Sequence, residues 1–164
     1  ELRFHPACPR DYEAKRRSPA MVGVVRSSGG RCIGLHVTAI KPDGSGKALG
    51  DFSRRMFGPV QGGAVRLSPI GEAGALAIGE GIETALSFAA IRGIPTWSAL
   101  STSGLKSFTL PLGVRSLVIA ADADPAGLEA AETLAGRLAS RCEVRIEAPT
   151  AGDWNDHLTE RAAA

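Results

Sequence analysis

Residues 75–82 read Ala75-Leu76-Ala77-Ile78-Gly79-Glu80-Gly81-Ile82, and residues 116–127 read Ser116-Leu117-Val118-Ile119-Ala120-Ala121-Asp122-Ala123-Asp124-Pro125-Ala126-Gly127. Each stretch is a short, continuously apolar run that ends on an acid. Such runs are what a parallel strand covered on both faces looks like. Each is followed by a helical pattern. One covers 82–92, with Ile82, Ala85, Leu86, Ala89 and Ala90 expected to face inward; the other covers 125–140, with Leu128, Ala131, Leu134, Ala135 and Leu138 on one stripe. Further strands are expected near 96–99 and at 143–147, the latter alternating and so at an edge, with a short helix at 153–161. Strands alternating with helices through short connections give right-handed βαβ units: an α/β fold with a parallel sheet of about four strands flanked by helices.

Ligands of such sheets collect at the carboxyl ends of the strands. Glu80 follows the first apolar run, and Asp122 and Asp124 follow the second. Positions i and i+2 of an extended chain point to the same side, so Asp122 and Asp124 can face one ligand. Three carboxylates this close repel one another unless a cation lies among them or one is protonated. Mg²⁺ is the expected cation, with Mn²⁺ as its substitute, because it takes hard oxygen ligands and is commonly held by one or two carboxylates plus substrate phosphates. No His or Cys stands near these positions in the sequence, which disfavours zinc. Gly81 permits the sharp strand-to-helix turn, and Gly127 permits close approach one turn into the second helix. Asp124-Pro125 is equally a helix N-cap followed by Pro at the first helical position, and Asp124 can serve both purposes.

Upstream the pattern differs. Residues 1–19 are polar and Pro-punctuated and are expected to be loop. Strands are expected at 20–26 and 31–40 around a turn at Ser27-Ser28-Gly29-Gly30, with Ile33, Leu35, Val37 and Ala39 forming an apolar face. A flexible loop is expected at 41–53, then Arg54-Arg55-Met56-Phe57, a Gly-rich stretch and a short strand near 64–67. Residues 1–70 carry a net charge of +7 and residues 71–164 a net charge of −5. That asymmetry suits a polyanion-binding surface beside a cation-binding site. Arg54 and Arg55 are the first candidates for phosphate contacts, with Lys47 and Arg31 behind them; Lys15-Arg16-Arg17 reads as a solvated charge run. Ser101, Thr102 and Ser103, expected on a loop after a strand, can donate hydrogen bonds to phosphate or simply shape a turn. Trp154 can pack beneath the terminal helix or stack on a base.

Composition excludes several classes. The cysteines Cys8, Cys32 and Cys142 are odd in number and form no Cys-x-x-Cys pair, against both a disulfide framework and a zinc ribbon. No apolar run reaches the ~20 residues that span a bilayer, and the N-terminal residues lack the apolar stretch of a secretory signal. The cytoplasm is the expected compartment, and a start on Glu1 is expected of a piece of a longer chain. No Gly-x-x-x-x-Gly-Lys-Ser/Thr loop occurs.

Together, Gly79-Glu80-Gly81 and Ala121-Asp122-Ala123-Asp124-Pro125-Ala126-Gly127 resemble the Toprim domain of primases, topoisomerases and certain nucleases. The Asp-x-Asp-x-Ala-Gly form is the primase variety. Gly152-Asp153-Trp154-Asn155-Asp156-His157-Leu158 resembles the element that closes primase Toprim domains. The hairpin at 20–40 and the Arg54-Arg55-Met56-Phe57 segment follow the order of the small basic subdomain that precedes Toprim in bacterial primases and in primase-like proteins of phages, plasmids and integrated elements. The chain departs from many primases at Thr84, where they carry Asp. The resemblance implies a small basic β-rich subdomain over 1–70 and a Rossmann-like Toprim catalytic domain over 71–164. It implies nucleotidyl transfer in DNA replication, with RNA primers made from nucleoside triphosphates on single-stranded DNA. Asp122 and Asp124 would hold metal, Glu80 would serve as general acid/base or a further ligand, and Asp153 would hold a second metal or orient its water. A helicase or a zinc-binding module, or both, is the expected companion in the full-length protein. The alternatives are a Toprim nuclease and a DNA-binding module without catalysis. Topoisomerase is disfavoured because the only tyrosine, Tyr12, lies in the polar N-terminal stretch.

Overall fold

The computed structural model describes residues 1–11, 15–50 and 53–163. In chain order these form β1 (Leu2–Asp11), β2 (Arg16–Arg26), β3 (Cys32–Ala39), β4 (Arg54–Phe57), β5 (Ala64–Arg66), β6 (Ala75–Gly79), α1 (Ile82–Arg92), β7 (Thr96–Ser98), α2 (Thr102–Ser107), β8 (Ser116–Ala120), α3 (Pro125–Leu138), β9 (Glu143–Glu147) and α4 (Trp154–Ala163). The strands join in one sheet of order β4-β3-β2-β5-β7-β6-β8-β9, with β1 also paired to β2. The run β7-β6-β8-β9 is parallel throughout. This is the expected four-stranded parallel sheet, with β9 at its edge. The remaining strands pair antiparallel, and β5 links the two regions: Val65 is opposite Val25 on one side and Ser98 on the other.

Alternation along β6 and β8 decides what each helix covers. Leu76, Ile78, Leu117 and Ile119 point to one face and pack with Leu105 and Phe108 from α2 and its C-terminal end, and with Leu134 and Leu138 of α3. Ala77, Val118 and Ala120 point to the other face, where Phe88 of α1 and Trp154 of α4 cover them. The two rings meet edge to face at 4.8 Å between centroids. Among the described residues no helix is long and apolar enough to cross a membrane.

Several expectations are corrected. Residues 2–11 and 16–19 are not loop: β1 and the first part of β2 form an antiparallel pair, with Leu2 opposite Gly23 and Asp11 opposite Arg16, while residues 12–14 lie outside the described residues. Pro6 and Pro9 fall in a strand partnered on β2 alone, with register shifts between His5 and Cys8 and between Pro9 and Asp11, whereas Pro19 lies within β2 itself. Edge positions and bulges are where a sheet tolerates proline. On β3 His36 and Thr38 are buried, as is Ala39 at the end of the expected apolar face, while Leu35 is exposed and Ile33 and Val37 are half-buried. The polar face, not the Ile33/Leu35/Val37 face, turns toward the rest of the molecule. Leu86 and Leu128, expected inward, are 46% and 39% exposed, because the helices are rotated to bury Thr84, Ser87 and Phe88 on α1 and Gly127 and Ala130 on α3. The expected loop at 101–104 is the cap and first turn of α2: Ser101 accepts from the Gly104 N–H at 3.0 Å, and Leu105 is buried beneath it.

Candidate active site at the carboxyl edge of the sheet

β6 ends at Gly79 and β8 at Ala120, and these two residues are register partners. Their continuations therefore leave the sheet side by side. Glu80 leaves from one, and Asp122 and Asp124 from the other. The Glu80 carboxyl is raised above the ordinary carboxylate range, first by burial, then by the charges of Asp122 and Asp124. Opposing that rise, the Thr102 backbone N–H donates to it and the Arg54 guanidinium faces it. The chain after Glu80 is tightly held: its carbonyl accepts from Ser98 Oγ at 2.9 Å and from the Leu100 N–H. Leu100 sits at φ 75°, a left-handed conformation that costs a branched residue of this kind on the order of 1 kcal/mol or more. Strain of this sort persists only where neighbouring contacts fix it, and here it lies beside the acid.

Asp122 is the most perturbed carboxyl. Burial pushes it up to about 6, with Asp153, Asp124 and Asp156 adding to the rise, and a hydrogen bond from Thr84 opposes it. Thr84 Oγ1 lies 3.3 Å from Asp122 Oδ1. Asp124 caps α3, its Oδ1 accepting from the Gly127 N–H at 2.7 Å. Gly127 is required by space: a Cβ there would stand 2.8 Å from the Asp122 carbonyl and 3.3 Å from Asp124 Oδ1. The closing segment is tied in by the Ala123 N–H, which donates to the Gly152 carbonyl. Asp153 Oδ1 accepts from the Asn155 and Asp156 N–H groups at 2.8 and 2.9 Å, and Asp156 Oδ2 accepts from the Asp153 N–H at 3.4 Å. This reciprocal pair closes the start of α4 as a capping box does. Trp154 is 1% exposed and donates from Nε1 to the Ala121 carbonyl at 3.0 Å. It therefore packs beneath the site and offers no ring to a base.

Glu80, Asp122, Asp124 and Asp153 thus gather at one edge. Asp156 is an addition that sequence reasoning missed, although its spacing from Asp153 is that of a capping pair. No group of three or more His, Cys, Asp or Glu among the described residues is arranged as a ready-made metal shell. The donor chemistry nevertheless fits a hard divalent ion. It is all carboxylate oxygen, and the rise of Asp122 comes in part from like charges. Asp122 and Asp124, with Glu80 and Asp153 beside them, would be the residues to hold it, with part of the shell left to substrate and water.

The basic candidates separate. Arg54 and Arg55 are neighbours on β4 and point to opposite faces. Arg54 lines a small cavity with His36, Thr38, Lys47, Gly81 and Glu83. Arg55 lies over the Phe57 ring at 5.7 Å. Lys47 reaches across to an ion pair with Glu83 in the first turn of α1. Arg31 is exposed at the mouth of the β2–β3 turn, where its carbonyl accepts from the Ser27 N–H. Ser101 and Ser103 share a hydrogen bond at 3.0 Å, so their hydroxyls serve the α2 cap, and it is the Thr102 backbone that reaches the site.

A family model described as the Toprim domain matches residues 75–164. A second, described as a domain of unknown function (DUF7146), matches residues 1–67. No curated protein matches the chain. Among solved structures, the primase fragment of the bacteriophage T7 primase-helicase protein is similar at a TM-score of 0.63 and 18% identity, over 88% of this chain and 60% of that one. A DNA primase domain from Pseudomonas aeruginosa is similar at 0.55 and 16%, over 96% of this chain and 52% of that one. The Aquifex aeolicus primase structure, comprising zinc-binding and RNA polymerase domains, is similar at 0.54 and 21%, over 86% of this chain and 37% of that one. The chain therefore spans about half to three-fifths of the first two structures, and at these identities the likeness is one of fold.

Proposed function

We propose, from the premise that the chain belongs to the Toprim domain family, that it is the catalytic core of a primase, joining ribonucleotides on a single-stranded DNA template. The observation that carries this reading is that Gly79 and Ala120 are register partners, so Glu80 and the pair Asp122 and Asp124 leave adjacent strand ends together, and burial with like charges raises both Asp122 and Glu80 there. Uncompensated carboxylates at the carboxyl edge of a parallel sheet suit a centre for phosphoryl chemistry.

Asp122 and Asp124, with Glu80 and Asp153 beside them, would hold a Mg²⁺ or Mn²⁺ ion, which when bound supplies charge neutralisation at the transferring phosphoryl group. Glu80, raised toward neutrality and oriented by the Thr102 N–H, is suited to take the proton of an attacking hydroxyl. Arg54 lies within electrostatic reach of Glu80 and can bind phosphate oxygens without reading sequence. Lys47 adds a second cation once it leaves Glu83, and Arg31 lies farther out for the template backbone. The division between a basic half over 1–70 and a Toprim catalytic half over 71–164 is part of the same reading. So are a helicase or zinc-binding companion in the full-length protein and an origin in a phage or mobile element.

The test is incubation of the chain with single-stranded DNA, labelled nucleoside triphosphates and Mg²⁺ or Mn²⁺, alongside Asp122→Asn. Metal-dependent primers that vanish in the variant support the proposal. Shortened DNA instead of primers replaces it with a nuclease, and DNA binding with neither product replaces it with a binding module.

A further inference from the structure

The parallel run of strands ends on β9, which pairs with β8 alone among the described residues. β1 and β4 also have an open flank, but β1 carries two register shifts and two prolines, and β4 is four residues long. β9 runs Glu143–Glu147 without a bulge or a proline. Its ladder to β8 decides which backbone groups are free. The Glu143 N–H donates to the Arg115 carbonyl, and the Glu147 carbonyl accepts from the Ala121 N–H. Backbone groups of successive strand residues point to opposite sides, so Glu143, Arg145 and Glu147 bond to β8. Val144 and Ile146 present their N–H and C=O groups to the open side. Unpaired groups of this kind are a template for a further strand.

The side chains divide by face. Cys142, Val144 and Ile146 pack against the core that α3 covers and stay half-buried. Glu143, Arg145 and Glu147 stand on the other face. Glu147 is held at 2.8 Å by Arg92 Nε and by Arg145 Nη2. The Arg145 side chain is still 62% exposed, and Glu143 is exposed with no ion pair among the described residues. Charge alternates along Arg141-Cys142-Glu143-Val144-Arg145-Ile146-Glu147, and this pattern complements its own reverse about Val144.

We propose that β9 is a self-association edge, along which two copies of the chain join antiparallel with Val144 on the two-fold axis. In that register Val144 exchanges N–H and C=O bonds with the partner's Val144, and the Ile146 N–H donates to the partner's Cys142 carbonyl. The Cys142 N–H stays with the Leu138 carbonyl of its own chain. Arg145 falls opposite the partner's Glu143, and Arg141, in the turn before β9, lies level with the partner's Glu147. The flanks of Val144 and Ile146 meet on the opposite face. An axis at Arg145 would set Arg145 on the partner's Arg145 and Glu143 on the partner's Glu147, and like charges directly opposite are destabilising. An axis at Ile146 would leave Glu143 unpaired and give Arg145 a glutamate that its own chain already holds twice. Because the join is antiparallel, the carboxyl edges of the two sheets point in opposite directions. The inference is independent of the reaction proposed above.

The experiment is sedimentation of the full chain at concentrations on the order of 0.1 mM, suited to weak contacts that bury less than about 1,200 Å². Wild type should form a dimer. Arg145→Glu and Glu143→Arg each set like charges opposite one another, and each should weaken the dimer about five- to tenfold. The double variant Glu143→Arg/Arg145→Glu should restore it. Cross-linking reads the register. In a chain carrying Cys8→Ser, Cys32→Ser and Cys142→Ala, Val144→Cys should give a covalent dimer on mild oxidation. Cα atoms of a hydrogen-bonded antiparallel pair lie about 5.5 Å apart, within disulfide reach. Ile146→Cys in the same background should stay monomeric after denaturation.

A chain that remains monomeric over this range overturns the proposal. So does a dimer that Arg145→Glu leaves unweakened, which would place the contact on another surface, such as the open flank of β1 or β4. A covalent dimer from Ile146→Cys instead of Val144→Cys overturns the register and the charge argument with it. Should Arg145→Glu not fold, Glu143→Arg, at an exposed residue outside any ion pair of its own chain, and the cross-link decide.

Discussion

Thr84 Oγ1 donates to Asp122 Oδ1 across 3.3 Å, from the first turn of α1 to the end of β8. The hydroxyl steadies the charged form of Asp122 against its burial and its acidic neighbours. Thr84 stands where many primases carry a further acid, so this chain meets Asp122 with a neutral donor in place of a like charge. Thr84→Val keeps the buried shape and removes the donor. Asp122 should then titrate higher, the acid limb of any metal-dependent activity should move to higher pH, and Mg²⁺ should bind more weakly at pH 6 than at pH 8. A pH–activity profile of the two proteins measures this, and identical profiles would remove Thr84 from the site.

Asp122 also links stability to pH. Its carboxyl rises from 3.8 unfolded to about 6 folded, so the folded state holds the proton more tightly. That contribution is complete below about pH 4 and is lost as pH climbs through 6. Allowing for solvent screening at a part-exposed group, it is worth about 1–2 kcal/mol. Metal-free protein should therefore melt several degrees lower at pH 7 than the rest of the chain would dictate. Asp122→Asn should flatten the curve between pH 4 and 7. Adding Mg²⁺ at pH 7.5 should raise the melting temperature of wild type and leave the variant unmoved.

The two arginines of β4 should part company. Arg54 lowers the Glu80 carboxyl and lines the cavity, whereas Arg55 lies against Phe57 on the other face. Arg54→Ala should raise Glu80 further and weaken triphosphate binding about tenfold, within the range of a lost charged hydrogen bond. Arg55→Ala should leave triphosphate affinity within about twofold, an effect below 0.5 kcal/mol at a site it does not face. Fluorescence titration with a labelled nucleotide distinguishes them, and equal losses would mean that strand geometry does not sort the pair.

Much of this arrangement is legible in the sequence. Leu76-Ala77-Ile78 and Leu117-Val118-Ile119 announce strands buried on both faces, and the acids that end them mark the sheet edge that matters. The amino-terminal strand is hidden because Pro6 and Pro9 argue locally against a strand, while pairing along β2 decides the outcome. The short helix after Ser101 is hidden for a similar reason: it is six residues long, and two of them are Ser and one Gly. His36 and Thr38 escape notice because Ile33, Leu35 and Val37 offer a more apolar face. Only the tertiary arrangement, which sets His36 and Thr38 across a small cavity from the first turn of α1, reveals that the polar face is covered. The pairing of Lys47 with Glu83 is a tertiary fact of the same kind.

Trp154 couples the last helix to the acidic edge. Its indole N–H holds the carbonyl of Ala121, the residue before Asp122, and its ring meets Phe88. Trp154→Phe keeps an aromatic side chain but leaves that carbonyl unpaired and a gap where the larger ring was. The combined cost should be about 2–4 kcal/mol, or a fall in melting temperature of several degrees. Magnesium affinity should fall with it, because Asp122 loses its anchor. Calorimetry and a metal titration on the same sample test both, and unchanged affinity in a destabilised variant would separate the helix from the site.

The narrowest part of the sheet is β5, three residues long, with two rungs to β2 and two to β7. Ala64 and Val65 are almost wholly shielded from water. The cationic and acidic halves are thus welded through a dry neck rather than strung on a tether. Severing the polypeptide near residue 70 would bare the flank of β7, and a bare strand flank invites stacking with other molecules. Work on the acidic half in isolation would meet a sticky fragment.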